Sequence, residues 1–315
     1  MPAKVFIDGE VGTTGLQIRE RLAARKDITL LSIPNEQRKD PHARAGYLNK
    51  ADIAILCLPD DAAKESVALI ASNNTRVIDA STAHRVSEGW VYGFAEMDAG
   101  QSAAIASATR VSNPGCWPQG LIAALRPLIN AGLLPANHPV SVNGISGYSG
   151  GGKSMIADYE QMGNKAPIFL PYGLGFNHKH LPEMKTYGKL ASQPLFMPAV
   201  GNYCQGMLTC VPLQLDKLTA APTARDIHAA LADHYAAIPG GFVEVAPLEP
   251  EQRTEQLDPQ SLNDTNRMRL HVFGNDDKRQ VLLMAVYDNL GKGASGAAIQ
   301  NMNLMLGVDP ATGLQ

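Results

Sequence analysis

Short apolar runs alternate with amphipathic stretches along the first hundred residues of the chain. The strands and helices that this pattern predicts are, in chain order, Lys4–Ile7, Leu16–Arg25, Ile28–Ile33, Ala51–Leu58, Asp60–Ala71 and Arg76–Asp79, the second helix starting with the acids Asp60 and Asp61. The run Ala51–Leu58 is nearly continuous, which is typical of a strand buried on both faces of a parallel sheet. Strands that alternate with helices predict a doubly wound α/β domain of the Rossmann type with right-handed crossovers.

The pattern changes from about residue 139 onwards. The predicted strands of this half are Val140–Ser146, Gly206–Leu215, Phe242–Ala246, Arg267–Phe273 and Gln280–Tyr287. The last two strands flank Gly274–Asp277 and form a predicted hairpin. Ala224–Ala237 and Gly296–Leu306 have helical spacing. This half is therefore predicted to be an α+β domain with a mixed, largely antiparallel sheet.

Composition narrows the classes of protein that remain. The 315 residues suggest two domains at roughly 150 residues each. A net charge of −3 gives no basic surface for nucleic acid. The longest apolar runs are far shorter than the ~20 residues of a membrane helix. The first ten residues include Asp8 and Glu10, so this segment does not resemble a signal peptide. Four cysteines form no disulfide framework. We therefore expect a cytoplasmic protein with neither a nucleic-acid nor a membrane partner.

The segment Asp8–Gly15 follows the first predicted strand and precedes a helix. Its glycines have the spacing G-x-x-G-x-x-G, and the free N–H groups of the helix start favour a pyrophosphate. An ordinary strand-to-helix turn is the alternative. The second strand lacks a terminal acid, and Arg38 and Lys39 follow it closely. This favours NADP over NAD, although Glu36 lies nearby.

Cys116 is the strongest candidate for a nucleophile. It follows the turn sequence Asn113-Pro114-Gly115, and Pro118 suits the first turn of a helix predicted over Gln119–Ile129. A helix N-terminus lowers the pKa of a thiol and favours the thiolate. Cys57 lies inside an apolar strand and is predicted to be an ordinary core residue. Cys204 and Cys210 lack the spacing of a metal site.

His178 and His180 lie two residues apart in a segment that ends with Glu183. Either imidazole titrates near neutral pH and would serve Cys116 as an acid or base. A metal site would need a third ligand at a sensible spacing, and none is found. We therefore predict no metal.

The segment Gly147–Ser154 points to a different function. It fits the P-loop pattern G-x-x-x-x-G-K-[ST] and follows a predicted strand. A P-loop ATPase or kinase is therefore an alternative, although its domain would need parallel strands and would leave Cys116 unexplained. The same backbone with Lys153 would also suit the phosphate of a substrate.

These motifs together describe one reaction, in which a thiolate attacks an acyl phosphate and a hydride from NADPH reduces the thioester. They resemble those of the short-chain N-acetyl-γ-glutamyl-phosphate reductases of arginine biosynthesis, in the aspartate-semialdehyde-dehydrogenase superfamily. The matching blocks keep their order over nearly the whole chain: Gly9–Gly15, Asp79–Arg85, Ser112–Pro118, Ser146–Lys153, His178–Glu183, Asp288–Lys292 and Gln300–Asn303.

The resemblance implies a domain organisation and a homo-oligomer. Residues 1–115 with 289–315 would form the NADP-binding Rossmann domain, and residues 116–288 the catalytic, substrate-binding and dimerisation domain. The family's habit implies a homodimer or homotetramer.

The resemblance also implies site residues. Cys116 would be the acylated nucleophile, with His180 as the first choice of acid and base and His178 as its neighbour. The residues implied for NADP are Gly9, Val11, Gly12, Thr13, Thr14, Gly15, Pro59, Ser81 and Asn289, the last orienting the nicotinamide. Those implied for the substrate are Arg85, Asn113, Ser146, Gly147, Lys153 and Glu183.

Two segments depart from the family pattern. Glu10 places an acid in the glycine-rich turn, where it is unfavourable beside a pyrophosphate unless it points outward. The segment Thr82-Ala83-His84-Arg85 differs from the Ala-Asp-Phe-Arg that is usual in the family. Arg85 aligns with the family's arginine, whereas His84 takes no role from the family.

Other functions share some of these features. Aspartate-semialdehyde dehydrogenase and acetyl-aminoadipyl-phosphate reductase use the same chemistry, and one methylene is weakly discriminated. A non-catalytic NADP-sensing protein would retain the fold and bind the cofactor without turnover.

Overall fold

The computed structural model describes residues 2–248 and 257–314. The chain divides into two compact units. The first comprises residues 1–95, 100–115 and 294–315, and the second comprises residues 96–99 and 116–293.

The first unit is built around a six-stranded sheet of order β2-β1-β3-β4-β6-β5, in which every pair of neighbours is parallel. Its strands are β1 (Ala3–Asp8), β2 (Ile28–Leu31), β3 (Ile53–Leu56), β4 (Arg76–Asp79), β5 (Val91–Tyr92) and β6 (Arg110–Ser112). Its helices are α1 (Thr13–Ala23), α2 (Pro41–Lys50), α3 (Asp60–Ala68), α4 (Gln101–Ser107) and α9 (Gly296–Leu306).

Alternation along β1 shows why both faces of this sheet are covered. Val5 and Ile7 pack with Ile18 of α1 and Ile299 of α9, whereas Phe6 belongs to a separate cluster with α2 and α3. Successive side chains of a strand point to opposite faces, so the two clusters lie on the two faces. This confirms the predicted doubly wound domain.

The second unit contains a seven-stranded sheet of order β11-β12-β13-β10-β7-β9-β8. Its strands are β7 (Ser141–Gly147), β8 (Phe169–Pro171), β9 (Leu195–Gly201), β10 (Met207–Gln214), β11 (Val243–Val245), β12 (Met268–Asn275) and β13 (Gln280–Tyr287). The pairs β7–β9 and β11–β12 are parallel, and the others are antiparallel. The predicted mixed, largely antiparallel sheet is confirmed.

The helices of the second unit are α5 (Cys116–Asn130), α6 (Gly152–Met162), α7 (Leu181–Tyr187) and α8 (Ala224–Ala236). All residues of α5 from Trp117 to Leu128 are buried. A Cβ at Gly120 would lie 2.2 Å from Thr209 Oγ1 of β10, so this glycine allows α5 to pack closely against the sheet. The helix therefore rests in the core of the unit with its first residue, Cys116, at one end.

Several element boundaries differ from prediction. The helix predicted over Asp60–Ala71 begins at Asp60 as expected, with Asp60 and Asp61 in its first turn, where acids are favourable, but it ends three residues earlier, at Ala68. The strand predicted at Ala51–Leu58 is confined to Ile53–Leu56, the residues paired with β1 or β4. The predicted hairpin is confirmed, with Asn275 paired to Gln280 at its end.

Candidate active site

Cys116 is the first residue of α5, as the turn sequence before it predicts. The first N–H groups of a helix have no partner within it, and the thiol belongs to the residue at that end of α5. The hydroxyl of Tyr287 donates to the Cys116 carbonyl at 2.7 Å. This bond fixes the start of the helix from the buried end of β13.

Cys116 opens on a cavity of about 260 Å³ within the second unit. Its lining residues are Cys116, Trp117, Ser146, Gly147, Gly150, Gly151, Met155, Tyr172, His178, Lys179, His180 and Val200. The cavity therefore brings together five residues that the sequence predicted for catalysis or substrate binding: Cys116, Ser146, Gly147, His178 and His180. It also adds aromatic and aliphatic residues that the sequence did not indicate.

The two histidines of the cavity are in contact with each other. Their ring centroids lie 4.7 Å apart, and the backbone N–H of His180 donates to His178 Nδ1 at 3.2 Å. An accepting Nδ1 places the proton of neutral His178 on Nε2. His180 is only 6% exposed and precedes the first residue of α7. Both imidazoles line the cavity of Cys116. Either ring is therefore a candidate for the acid and base.

Tyr172 is a residue of the cavity that sequence reasoning missed. The indole N–H of Trp117 donates to the Tyr172 hydroxyl at 2.9 Å. Burial raises the pKa of Tyr172 well above its ordinary value, and the nearby Cys116 adds to this. The phenol therefore stays protonated at neutral pH. No spacing in the sequence links residues 117 and 172, so no sequence signal could have identified this pair.

Three other predicted residues of this unit lie outside the cavity lining. Lys153 is exposed in the first turn of α6. Glu183 is 1% exposed on α7. The Asn289 side chain accepts from the Gly206 N–H at 2.8 Å and donates to Ser149 Oγ at 3.0 Å. Its amide thus ties two loops of the second unit together, and its role toward the nicotinamide stays a prediction.

The P-loop interpretation of Gly147–Ser154 is not supported. The strand before this segment, β7, is antiparallel to β10. The N–H groups of Tyr148 and Ser149 donate to the carbonyls of Tyr203 and Cys204. A phosphate-binding loop leaves such N–H groups to the phosphate, whereas here they hold the loop to its own unit.

The glycine-rich turn of the first unit is closely packed. Gly9 has φ +88, and a Cβ there would lie 2.3 Å from the Cys57 carbonyl oxygen. Gly12 precedes α1 and supplies no side-chain cap. Thr13 Oγ1 is buried and makes no hydrogen bond within the described chain. An uncapped helix start with an unsatisfied hydroxyl fits the pyrophosphate of a dinucleotide.

Glu10 of this turn is paired with a cation. Its Oε2 lies 2.6 Å from Nη1 of Arg19, which belongs to the second turn of α1. Val11 is exposed, and Thr14 and Gly15 begin α1 with Thr13. The acid that departs from the family pattern therefore has a cationic partner within the same segment.

The remaining predicted residues of the first unit have mainly internal partners. Pro59 precedes α3, and both the N–H and the hydroxyl of Ser81 donate to Asp79. Arg85 donates to the carbonyls of Asn113 and Ala80 at 3.1 Å. These roles toward ligands stay predictions.

The Asn113 side chain bridges within the first unit. Its Nδ2 donates to the Ala294 carbonyl at 3.0 Å, and its Oδ1 accepts from Asn301 at 3.0 Å. These bonds hold the turn that precedes Cys116 in the sequence.

None of the other three cysteines shares the position of Cys116 at the start of a helix. Burial raises the pKa of Cys57 to about 12, which opposes thiolate formation. Cys204 is exposed, and burial raises the pKa of Cys210. Within residues 2–248 and 257–314, no group of three or more His, Cys, Asp or Glu side chains could hold a metal ion. No helix of that part of the chain is long and apolar enough to cross a bilayer.

Two family models match the chain. The NAD-binding domain of semialdehyde dehydrogenases matches residues 4–105, and their dimerisation domain matches residues 116–289. N-acetyl-gamma-glutamyl-phosphate reductase of Chelativorans sp. (strain BNC1) is 68% identical over 97% of this chain and 99% of its own. The protein of the same name from Mesorhizobium japonicum is 64% identical over 98% of this chain and 100% of its own.

Solved structures share the fold at much lower identity. Aspartate semialdehyde dehydrogenase II of Vibrio cholerae, complexed with ASA, has a TM-score of 0.72 at 16% identity and covers 97% of this chain and 98% of its own. The Candida albicans aspartate semialdehyde dehydrogenase with NADP has a TM-score of 0.64 at 12% identity, covering 98% and 99%.

Proposed function

Because the chain belongs to the N-acetyl-γ-glutamyl-phosphate reductases of the semialdehyde dehydrogenase family, we propose that it reduces N-acetyl-γ-glutamyl phosphate to N-acetyl-L-glutamate 5-semialdehyde and phosphate. It is an NADP-dependent oxidoreductase acting on an acyl phosphate in arginine biosynthesis. The observation that carries the proposal is the placement of Cys116 at the start of a fifteen-residue helix, on the same cavity as His178 and His180.

The chemistry begins with the thiol of Cys116. A cavity histidine accepts the thiol proton, and the thiolate attacks the γ-acyl carbon. The acyl–oxygen bond to phosphate breaks, and the histidine passes the proton to the departing phosphate. The N–H groups of the first turn of α5 stabilise the oxyanion. The product of this step is a thioester on Cys116.

The second step reduces that thioester. NADPH, when bound, supplies the hydride. The tetrahedral carbon then expels the Cys116 thiolate and releases the aldehyde. The thiolate regains a proton from solvent through the histidine, so that one proton is consumed in the whole cycle.

The lining of the cavity favours an N-acetylated substrate over one with a free amine. None of the described residues that line it is acidic, and Met155, Tyr172 and Val200 offer apolar surface. An α-ammonium group would be desolvated there without a carboxylate partner. The methyl of an acetamide would instead pack against these side chains. This supports the acetylglutamyl substrate over aspartyl phosphate.

The first unit fits NADP(H). The glycine-rich turn and the uncapped start of α1 suit the pyrophosphate. Ser32 follows β2 where an NAD-binding domain carries an acid, and Arg38 lies seven residues beyond the end of β2. A cation near this strand end would favour a 2′-phosphate.

The assembly proposed is a homodimer or homotetramer. The match of residues 116–289 to a dimerisation domain supports it. Leu195 and Met197 of β9 are each 55% exposed on one face of the second sheet, and such apolar surface suits contact with another copy. A cytoplasmic location remains part of the proposal.

The test is phosphate-dependent reduction of NADP⁺ with N-acetylglutamate semialdehyde, compared with aspartate semialdehyde. We expect selective turnover of the acetylated aldehyde, lost by about 10³-fold or more in Cys116→Ser. Cys204→Ser is the matched control, because this exposed thiol lies outside the cavity lining.

The Cys116→Ser variant should still bind NADPH with the affinity of the wild type. Preference for aspartate semialdehyde would retain the mechanism and overturn the substrate. Near-normal turnover by Cys116→Ser would remove the proposed nucleophile.

A further inference from the structure

Glu96 and Lys292 form a buried ion pair in the second unit. Lys292 Nζ lies 2.7 Å from Glu96 Oε2, and each side chain is 1% exposed. Neither residue lines the cavity of Cys116. Taking two charges out of water costs about as much as their attraction returns, so such a pair is weak grounds for stability alone. Its burial calls for a more specific role.

Both carboxylate oxygens of Glu96 are used. Oε1 accepts the backbone N–H of Phe242 at 2.9 Å, while Oε2 faces Lys292. The ammonium also lies 5.7 Å from the ring centroid of Phe242, a favourable cation–π distance. The lysine side chain is therefore held from two sides.

The backbone beside Lys292 contacts the nucleophile. The Lys292 carbonyl accepts from Gln119 Nε2 at 2.8 Å, in the first turn of α5. A Cβ built at Gly293 would lie 3.0 Å from Cys116 Cβ. The Gly293 backbone therefore packs directly against the Cys116 side chain. A shift of this segment would change the position that the thiol can adopt.

We propose that the Glu96–Lys292 ion pair is a positioning device for the nucleophile, fixing residues 291–293 against Cys116 and the first turn of α5. The inference rests on the proposed role of Cys116. Displacement of a reacting group by about 1 Å costs up to about 100-fold in rate, so a small relaxation of this segment suffices to affect turnover.

Three variants separate the pair from its surroundings. In Glu96→Gln, one oxygen must serve two donors, because the amide nitrogen cannot accept. Lys292→Met keeps much of the side-chain length and removes the charge. The double variant Glu96→Gln/Lys292→Met removes both charges and keeps an acceptor for Phe242, so it avoids an unpaired buried charge.

Asp98→Asn is the matched control. Asp98 lies two residues from Glu96 and pairs with Arg126 of the same helix α5, but toward its other end. Loss of this pair perturbs the same chain segment without touching residues 291–293. A purely structural role of Glu96 and Lys292 would make the two kinds of variant behave alike.

Two readouts are needed in the full-length protein. The first is kcat and KM for phosphate-dependent reduction of NADP⁺. The second is the rate of iodoacetamide alkylation at Cys116, followed by mass analysis of its peptide, which needs no substrate. Thermal melting identifies the variants that remain folded.

We expect kcat to fall about tenfold or more in folded variants of the pair, the double variant included, with KM for NADP⁺ within about twofold of wild type. Alkylation at Cys116 should change several-fold in the same variants, and Asp98→Asn should match wild type in both readouts.

Wild-type kcat and alkylation in the folded double variant would overturn the proposal, as would the same losses in Asp98→Asn. A wild-type protein that does not oxidise N-acetylglutamate semialdehyde would refute the proposed function. The alkylation comparison would still decide the positioning role.

Discussion

At the scale of single residues, Glu10 shows how one side chain changes the character of a binding turn. A carboxylate in a glycine-rich turn repels phosphate, yet this carboxylate lies 2.6 Å from the Arg19 guanidinium. Arg19 is 46% exposed and Glu10 only 13%. The exposed cation can therefore be removed with little structural cost, which makes the pair a good site for a charge experiment.

We predict that Arg19→Met weakens NADP⁺ binding by about two- to fivefold, because it leaves Glu10 unpaired near the phosphates; an exposed charge interaction is worth at most about 1 kcal/mol. Adding Glu10→Gln should restore the affinity. Fluorescence titration at two salt concentrations measures the effect, which salt should reduce.

Arg21→Met is the control, since it removes an equal charge from the last turn of the same helix. Equal losses in the two arginine variants would show that only net charge matters. The Glu10–Arg19 pair would then have no specific part in binding.

At the scale of elements, local chemistry determined what the sequence could predict. The bounds of β4, β13 and α9 agree with their patterns, because each is a continuous apolar or small-residue segment with clear ends. Helix α2 was missed, although Asp40 caps it and Pro41 begins it. Leu48 is the only large aliphatic residue among its ten, so the periodicity that identifies a helix was weak.

The residues of the candidate site also fall into those that the sequence predicted and those that it did not. The local structure around Cys116 and around the glycine-rich turn is set by adjacent residues in the sequence. The turn residues at each place therefore allowed a prediction. Val200 lies in β9, and Tyr172, the residue after β8, donates its N–H to the Pro198 carbonyl of β9 at 3.1 Å. Pairing between these two segments therefore brings both side chains to the cavity. Strand β9 contains Pro198, which weakens a strand prediction, and its parallel partner β7 lies about fifty residues earlier. Tertiary pairing of this kind leaves no local signal.

Two helical glycines allow a matched test of the binding turn. A Cβ at Gly15 in α1 would lie 2.5 Å from the Gly9 carbonyl oxygen, whereas a Cβ at Gly46 in α2 meets nothing within 4 Å. We predict that Gly15→Ala displaces the turn and weakens NADP⁺ binding at least about tenfold, with about 1–3 kcal/mol of stability lost to overpacking.

Gly46→Ala should leave NADP⁺ affinity unchanged and stabilise the protein by about 0.5–1 kcal/mol, the ordinary gain of alanine in a helix. Isothermal titration and urea unfolding measure both quantities. Wild-type affinity in Gly15→Ala would mean that the turn tolerates a shift and that close packing there is not required for the cofactor.

At the scale of the whole molecule, several histidines couple folding to pH. Burial lowers the pKa of His138, His234 and His271 from 6.5. The His234 imidazole also contacts the Glu96 carbonyl through Nε2, at 3.3 Å. Because all three pKa values are shifted in the same direction, their contributions to stability have the same sign. All three histidines lie in the second unit.

The sign follows from proton binding in the two states. Below pH 6.5 the unfolded chain takes up protons at these histidines that the folded chain does not, until pH reaches the lower folded pKa. Stability from this source is therefore present above pH 6.5 and is lost as pH falls. We predict a lower urea midpoint at pH 5.5 than at pH 7.5.

His234→Gln should reduce this loss, because the amide keeps a donor for the Glu96 carbonyl and has no proton to gain. His42→Gln, at an exposed position in α2, should leave the difference between the two pH values unchanged. Because an oligomer also gains stability with concentration, the midpoints must be compared at one protein concentration. An equal or higher midpoint at pH 5.5 would show that these histidines do not control acid stability, and that groups favouring the folded state at low pH outweigh them.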